Sequence, residues 1–172
     1  MSAGQLPDRI VVGVIVERHK ATSAWLDFVW RPVGVLCGLP ETEPWSVLST
    51  DGEATLLYAG ASEIELHRSE ADNYRSNLAS GQPSLWIVLH PADGEPPYRL
   101  AVVTADPSEG EGLTEAVDAI VEMVAMPEPI REALARFVAK HHVEHKFEKR
   151  VQNRADPEAL ARRGPGRRHR DE

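Results

Sequence analysis

The apolar residues of this chain come in short runs, and turn residues break the runs at close intervals. Ile10 to Val16 is rich in Val and Ile, as a strand buried on both faces would be. Lys20 to Ser23 has the composition of a turn. From Trp25 to Cys37, Leu26, Phe28 and Trp30 alternate with Asp27, Val29 and Arg31 until Pro32 interrupts the ladder. Pro lacks the N–H that a central strand needs, so an edge position or a bulge is expected there. Gly38 to Pro44 reads as a loop. Trp45 to Leu48 and Thr55 to Ala59 flank Asp51-Gly52, a pair suited to a hairpin turn. Ile64, Leu66 and Arg68 then alternate with Glu63, Glu65 and His67, the pattern of an antiparallel strand with one wet face. Ser84 to His90 and Tyr98 to Thr104 form another predicted hairpin, joined through Asp93-Gly94 and Pro96-Pro97.

Helical periodicity shows in only two places. Ser69-Glu70-Ala71-Asp72 resembles a capping box, with Ser69 as N-cap of a helix that Gly81 would end. Pro127 and Pro129 suit the first turn of a second helix, and Ile130, Leu134, Phe137, Val138 and His141 then share one face. Asp106 to Gly112 reads as a polar loop, and Ala119 to Val124 fits either a strand or a helix end. The expected fold class is therefore α+β. It is a mainly antiparallel sheet, as a sandwich or a partly closed barrel, with two helices and a disordered basic C-terminal tail. The 172 residues suit one domain, since domains commonly run to about 100–200 residues. The expected division is a flexible N-terminus over 1–8, an α+β domain over 9–150 and the tail over 151–172.

Charge is unevenly distributed. Residues 143–172 hold nine Lys/Arg and six Asp/Glu, which leaves ten and 21 for residues 1–142. An acidic body argues against nucleic acid or an anionic membrane as its main partner. The stretch Arg162 to Arg170 is basic and low in complexity, and it has too little apolar surface to offset ordering entropy. It offers no interleaved aromatics for base stacking. Met1 to Asp8 lacks the basic region of a signal peptide, and Ile10 to Val16 is too short to span a bilayer, so the cytoplasm is expected. The single cysteine, Cys37, excludes an intrachain disulfide framework.

Candidate chemistry is sparse. His141, Glu144 and His145 spell H-x-x-E-H, the order of one class of zinc peptidases. Two His one helical turn apart can chelate a metal, yet that chemistry needs a distant third ligand, and only the basic tail follows. A His-rich helix end is the favoured reading, and no metal is expected. Glu17-Arg18-His19-Lys20 follows the first strand where a nucleotide-binding chain would place glycines, so no phosphate cradle is expected. No cofactor and no catalytic residue are assigned.

Two blocks of residues stand out together. One is Val12-Gly13-Val14-Ile15-Val16-Glu17-Arg18 with Trp30-Arg31-Pro32-Val33. The other is Glu65-Leu66-His67-Arg68, Tyr74, Asn77-Leu78 and Pro83-Ser84-Leu85-Trp86-Ile87-Val88-Leu89. Val103-Thr104-Ala105, Met126-Pro127 and His141-His142-Val143 continue the set. The set resembles the bacterial family known as domain of unknown function 3305, over most of residues 9–150. The resemblance implies no established activity. It implies a genomic setting near formate dehydrogenase and other molybdenum-enzyme genes, and some members are labelled molybdopterin-guanine dinucleotide biosynthesis protein A. The absent glycine-rich loop speaks against that label as a description of catalysis.

The expected function is a non-catalytic accessory protein for assembly, maturation or regulation of a cytoplasmic molybdenum enzyme such as formate dehydrogenase. Its partner would be a subunit of that enzyme or its chaperone. The alternatives are a molybdenum-cofactor biosynthesis or carrier protein and a nucleic-acid-binding module using the tail. Arg and Tyr are common interface anchors, so the strand–helix corner of His67, Arg68, Tyr74, Arg75 and Asn77 is the expected contact surface, with Trp30-Arg31 next. Against that stands the plainer reading, in which Tyr74 and Leu78 pack inward and the arginines balance Glu65 and Asp72.

Overall fold

The computed structural model describes residues 8–142. Of the N-terminus expected to be flexible over 1–8, Asp8 instead opens a strand; residues 1–7, the tail over 151–172, and Glu144 and His145 lie outside the described residues. Seven strands and three helices follow in the order β1 (Asp8–Lys20), β2 (Phe28–Leu36), β3 (Ser46–Asp51), β4 (Ala54–Leu66), α1 (Ala71–Ala79), β5 (Ser84–Pro91), β6 (Tyr98–Thr104), α2 (Pro107–Leu113), β7 (Ile120–Ala125) and α3 (Glu128–His141). A single 3-10 turn, Arg68–Glu70, precedes α1. The fold is α+β. Four strands form one sheet in the order β2-β1-β4-β3, three form a second in the order β6-β5-β7, and every pairing is antiparallel. Between the two sheets, β6 lies close to β4 and β7 close to β2.

One apolar cluster fills the space between the sheets. It holds Val12, Val14 and Val16 of β1 together with Leu85, Ile87 and Leu89 of β5, and Leu57, Ile64, Val103 and Val124 belong to it as well. Ile130, Leu134, Phe137 and Val138 of α3 join the same cluster, on the face that the helical spacing predicts. A fully buried Val or Leu of this kind contributes about 1.5–3 kcal/mol.

Bulges reset the side-chain alternation where the sequence looked broken. Pro32 sits at a register shift in β2, where Ile15 pairs with Gly34 but Val16 pairs with Pro32. The expected interruption at Pro32 is thus a bulge in a strand at the end of its sheet. In β4, Val14 pairs with Gly60 and Ile15 with Tyr58, leaving Ala59 as the extra residue. Gly60 has φ +122, a conformation that only glycine adopts easily. Leu57 before the bulge, Ala59 in it, and Ile64 and Leu66 after it therefore all belong to the core. The stretches 55–59 and 63–68, which read as two strands, are largely one continuous strand, because the bulge changes their parity without ending the ladder.

Two helix readings need correction. Asp106 to Gly112 is not a loop: Asp106 caps α2 by accepting the Ser108 N–H at 2.9 Å, and Pro107 occupies the first turn. The two glycines hid this helix, yet Gly110 is needed there. A Cβ on it would lie 2.3 Å from Trp86 Cγ. The described residues therefore hold three α-helices rather than two. Ser69 does not cap α1 either; its hydroxyl donates to Glu70 Oε1 at 3.0 Å inside the 3-10 turn, and α1 begins at Ala71.

Candidate functional site

The strand–helix corner is held together from within. Tyr74, 1% exposed, projects from α1 under the end of β4, and its hydroxyl oxygen accepts the His67 N–H at 3.1 Å. Its ring meets Phe137 edge-on at 5.8 Å. Burial pushes the Tyr74 hydroxyl above its usual pKa; the bond from His67 opposes this, and the charges of Asp106, Glu70 and Glu109 add to it. Asn77, 3% exposed, bridges two strands. Its amide donates to the Ser84 and Ala105 carbonyls, each at 2.8 Å, and its oxygen accepts the Ser84 N–H at 3.0 Å. Both residues are therefore internal fasteners.

Around them, Asn73 donates to Glu70 at 3.0 Å and to Asp106 at 3.2 Å, linking α1 to the cap of α2. The Thr104 hydroxyl donates to Glu109 at 2.6 Å and accepts the Asp106 N–H at 3.1 Å. Together these two bonds fasten the β6–α2 turn.

Other expected contact residues divide by burial. Trp30, 8% exposed, belongs to the core and lies near Trp45 and Tyr98 at 6.0 and 6.3 Å. The Arg18 guanidinium stacks over Phe28 and Trp30 at 4.5 and 5.6 Å. Arg31, His67, Arg68 and Arg75 are exposed. Arg31 lies 3.6 Å from Glu17, and His67 3.7 Å from Glu65. The corner thus brings His67, Arg68 and Arg75 to the surface and draws Tyr74 and Asn77 inward, while Trp30 and Arg31 lie on opposite faces of β2.

At the end of α3, the His141 ring packs against Phe137, tilted by 55° with centroids 4.6 Å apart. Partial burial lowers its pKa first, and the positive charges of Arg68 and Lys140 lower it further. His142 Nδ1 lies 2.7 Å from Asp72 Oδ1, close enough to pair when the ring is protonated but without hydrogen-bond alignment. Among the described residues, no group of three His, Cys, Asp or Glu could hold a metal ion.

The most outward-facing apolar surface lies elsewhere, at the tip joining β1 and β2. Trp25 is 93% exposed and Leu26 60%, with Phe28 and Val29 partly exposed beside them. The Ala21 N–H donates to the Asp27 carbonyl at 3.0 Å, so the connection is wider than the turn expected at Lys20 to Ser23. Trp25 and Leu26 stand on the connection and not within the strand, which is why the alternation through Trp30 misplaced them. The one sequence signal was Asp27, a turn-forming residue between two bulky hydrophobes.

The chain is thus an α+β fold of two antiparallel sheets with an apolar hairpin tip, and buried polar residues fasten its strands. The chain belongs to the family described as "Protein of unknown function (DUF3305)", whose model matches residues 11–151. No curated protein matches the chain. No solved structure matches it either. Among the described residues no helix is long and apolar enough to cross a membrane.

Proposed function

We propose that this chain is a non-catalytic accessory protein that acts by binding another protein, in the assembly, maturation or regulation of a molybdenum enzyme such as formate dehydrogenase. The protein-binding part is carried by one observation, the adjacent Trp25 and Leu26 held out in solvent on a hairpin tip. Isolated exposed hydrophobes are ordinary, but neighbouring ones that include a Trp are the usual material of an interface anchor. Arg31, on the strand that leaves this tip, and Arg68 and Arg75 at the corner supply charged contacts. The molybdenum-enzyme part rests on the genomic setting that the family resemblance implies, which is an association and not a mechanism.

Affinity purification of the full chain from its native cell tests both parts. Molybdenum-enzyme subunits are expected to co-purify, and recovery is expected to fall in Trp25→Ala with the body's stability unchanged. Arg68→Ala and Arg75→Ala, made separately, show whether the corner shares in the contact. Recovery of no molybdenum-enzyme chain sinks the proposal; recovery of a bound pterin in place of a protein transfers the role to cofactor handling.

A further inference from the structure

A pocket of about 520 Å³ opens between the C-terminal end of α1, the turn into β5 and the outer face of the three-stranded sheet. Ser76, Ser80, Gln82, Trp86, Pro107 and Met123 line it. Its volume lies within the range of about 300–1,000 Å³ common to small-molecule sites. None of its described lining side chains is charged, although 27% of the chain is. The lining thus offers no counter-charge to an ion, which favours a neutral occupant.

The walls are fixed in advance. Backbone of α2 at Gly110 presses on the Trp86 indole so closely that no Cβ fits between them. One flank of the indole is thereby occupied, and Trp86 is held in place in the pocket wall. Asn77 ties the adjoining β5 and β6 ends with its three hydrogen bonds. Met123, 60% exposed, supplies a polarizable side chain beside the indole.

The serines set the polarity. Ser76 donates its hydroxyl proton to the Asp72 carbonyl at 3.0 Å, Ser80 to Asn77 at 2.6 Å and Ser84 to Gln82 at 2.8 Å. With each proton committed to backbone, what the hydroxyls have left is acceptor capacity. A ligand facing the serines therefore brings donors, and the Gln82 carboxamide beside them offers both a donor and an acceptor.

We propose that this pocket binds an uncharged planar nitrogen heterocycle bearing an exocyclic amino group, stacked on Trp86 with its N–H donors toward the serines. The inference does not depend on the protein-binding role, because the pocket and the β1–β2 tip share no residue. Titration of the full chain with adenosine, guanosine and cytidine, followed by amide and indole NMR shifts, tests it. At least one nucleoside is expected to give saturable shifts at the Trp86 indole N–H and the Gly81 and Gln82 amides. If adenosine binds, purine riboside, which lacks only the amino group, is expected to bind about tenfold more weakly, the usual effect of one hydrogen bond. Ser76→Ala, at an exposed helix position, is expected to weaken binding severalfold while keeping the fold, and Trp86→Leu to abolish it. Three outcomes overturn the proposal: no saturable shift at Trp86 with any of the three nucleosides, equal binding of adenosine and purine riboside, or binding of a Trp-bearing peptide alone. The last would make the pocket a docking point for a protein side chain.

Discussion

The β1–β2 tip and the strand–helix corner use similar residue types to opposite ends. The corner offers Tyr74 and Asn77, residues common at interfaces, yet both are buried and each makes hydrogen bonds to backbone. The tip offers Trp25 and Leu26, residues common in cores, yet both stand in solvent. Residue type alone cannot separate them. What separates them is whether the neighbouring backbone has unpaired groups to satisfy. At the corner, Ser84 and Ala105 present buried polar groups that need a partner. At the tip, the Ala21 and Asp27 backbone groups satisfy each other and leave the side chains free to face outward.

Substitutions at the two regions should therefore diverge, and the largest loss should come at the corner. Asn77→Ala strands a buried N–H and two carbonyls, and urea denaturation should show a loss of about 3 kcal/mol or more. A loss below about 1 kcal/mol would mean that water replaces the amide and that the corner is open to solvent.

Gly110→Ala comes next. Overpacking against Trp86 should cost about 1–3 kcal/mol. Combining it with Trp86→Leu should recover part of that loss, and strict additivity of the two changes would break the inferred contact.

Tyr74→Phe removes one hydrogen bond and should cost about 0.5–1.5 kcal/mol at neutral pH. It also tests the raised pKa. Above pH about 10 the unfolded chain loses the tyrosine proton first and so binds fewer protons than the folded chain. Stability should accordingly be whole below that pH and fall as pH rises toward the folded value, by up to about 1.4 kcal/mol per pH unit. The Phe variant should lack this contribution, and identical alkaline profiles for the two proteins would show that Tyr74 reaches solvent.

Trp25→Ala should change stability least, within about 0.5 kcal/mol, because the side chain is almost fully hydrated already. A loss of several kcal/mol would place Trp25 inside a larger packed unit and remove the basis for the tip as an anchor.

Most of the fold was legible from period and turn chemistry. The strand at Ile10 to Val16, the apolar stripe of α3 and the Asp51-Gly52 and Asp93-Gly94 hairpins follow from local pattern, but β1 is not buried on both faces as its apolar run suggested, since Val11 is 46% exposed. The continuity of β4 was not legible, since it depends on β1 holding its partner across a bulge at Gly60. Helix α2 was hidden because Gly110 reads as a breaker until Trp86 is known to lie against it. The candidate surfaces were the least legible, because exposure depends on what the chain folds against: Trp25 and Trp30 differ little in sequence surroundings and fully in environment.

The bulge at Gly60 also limits how this chain can drift in length. Beyond it, Ile64 and Leu66 reach the interior only because one residue, Ala59, has no partner across the ladder. Losing a single residue there, with the ladder otherwise kept, would turn the next segment by half a pleat and aim Glu63 and Glu65 at the valines of β1. Insertions and deletions that survive should therefore gather in connections such as the one carrying Trp25, while the middle of β4 keeps a fixed count. The part of the molecule most free to change length is thus also the part that offers its apolar side chains to a partner.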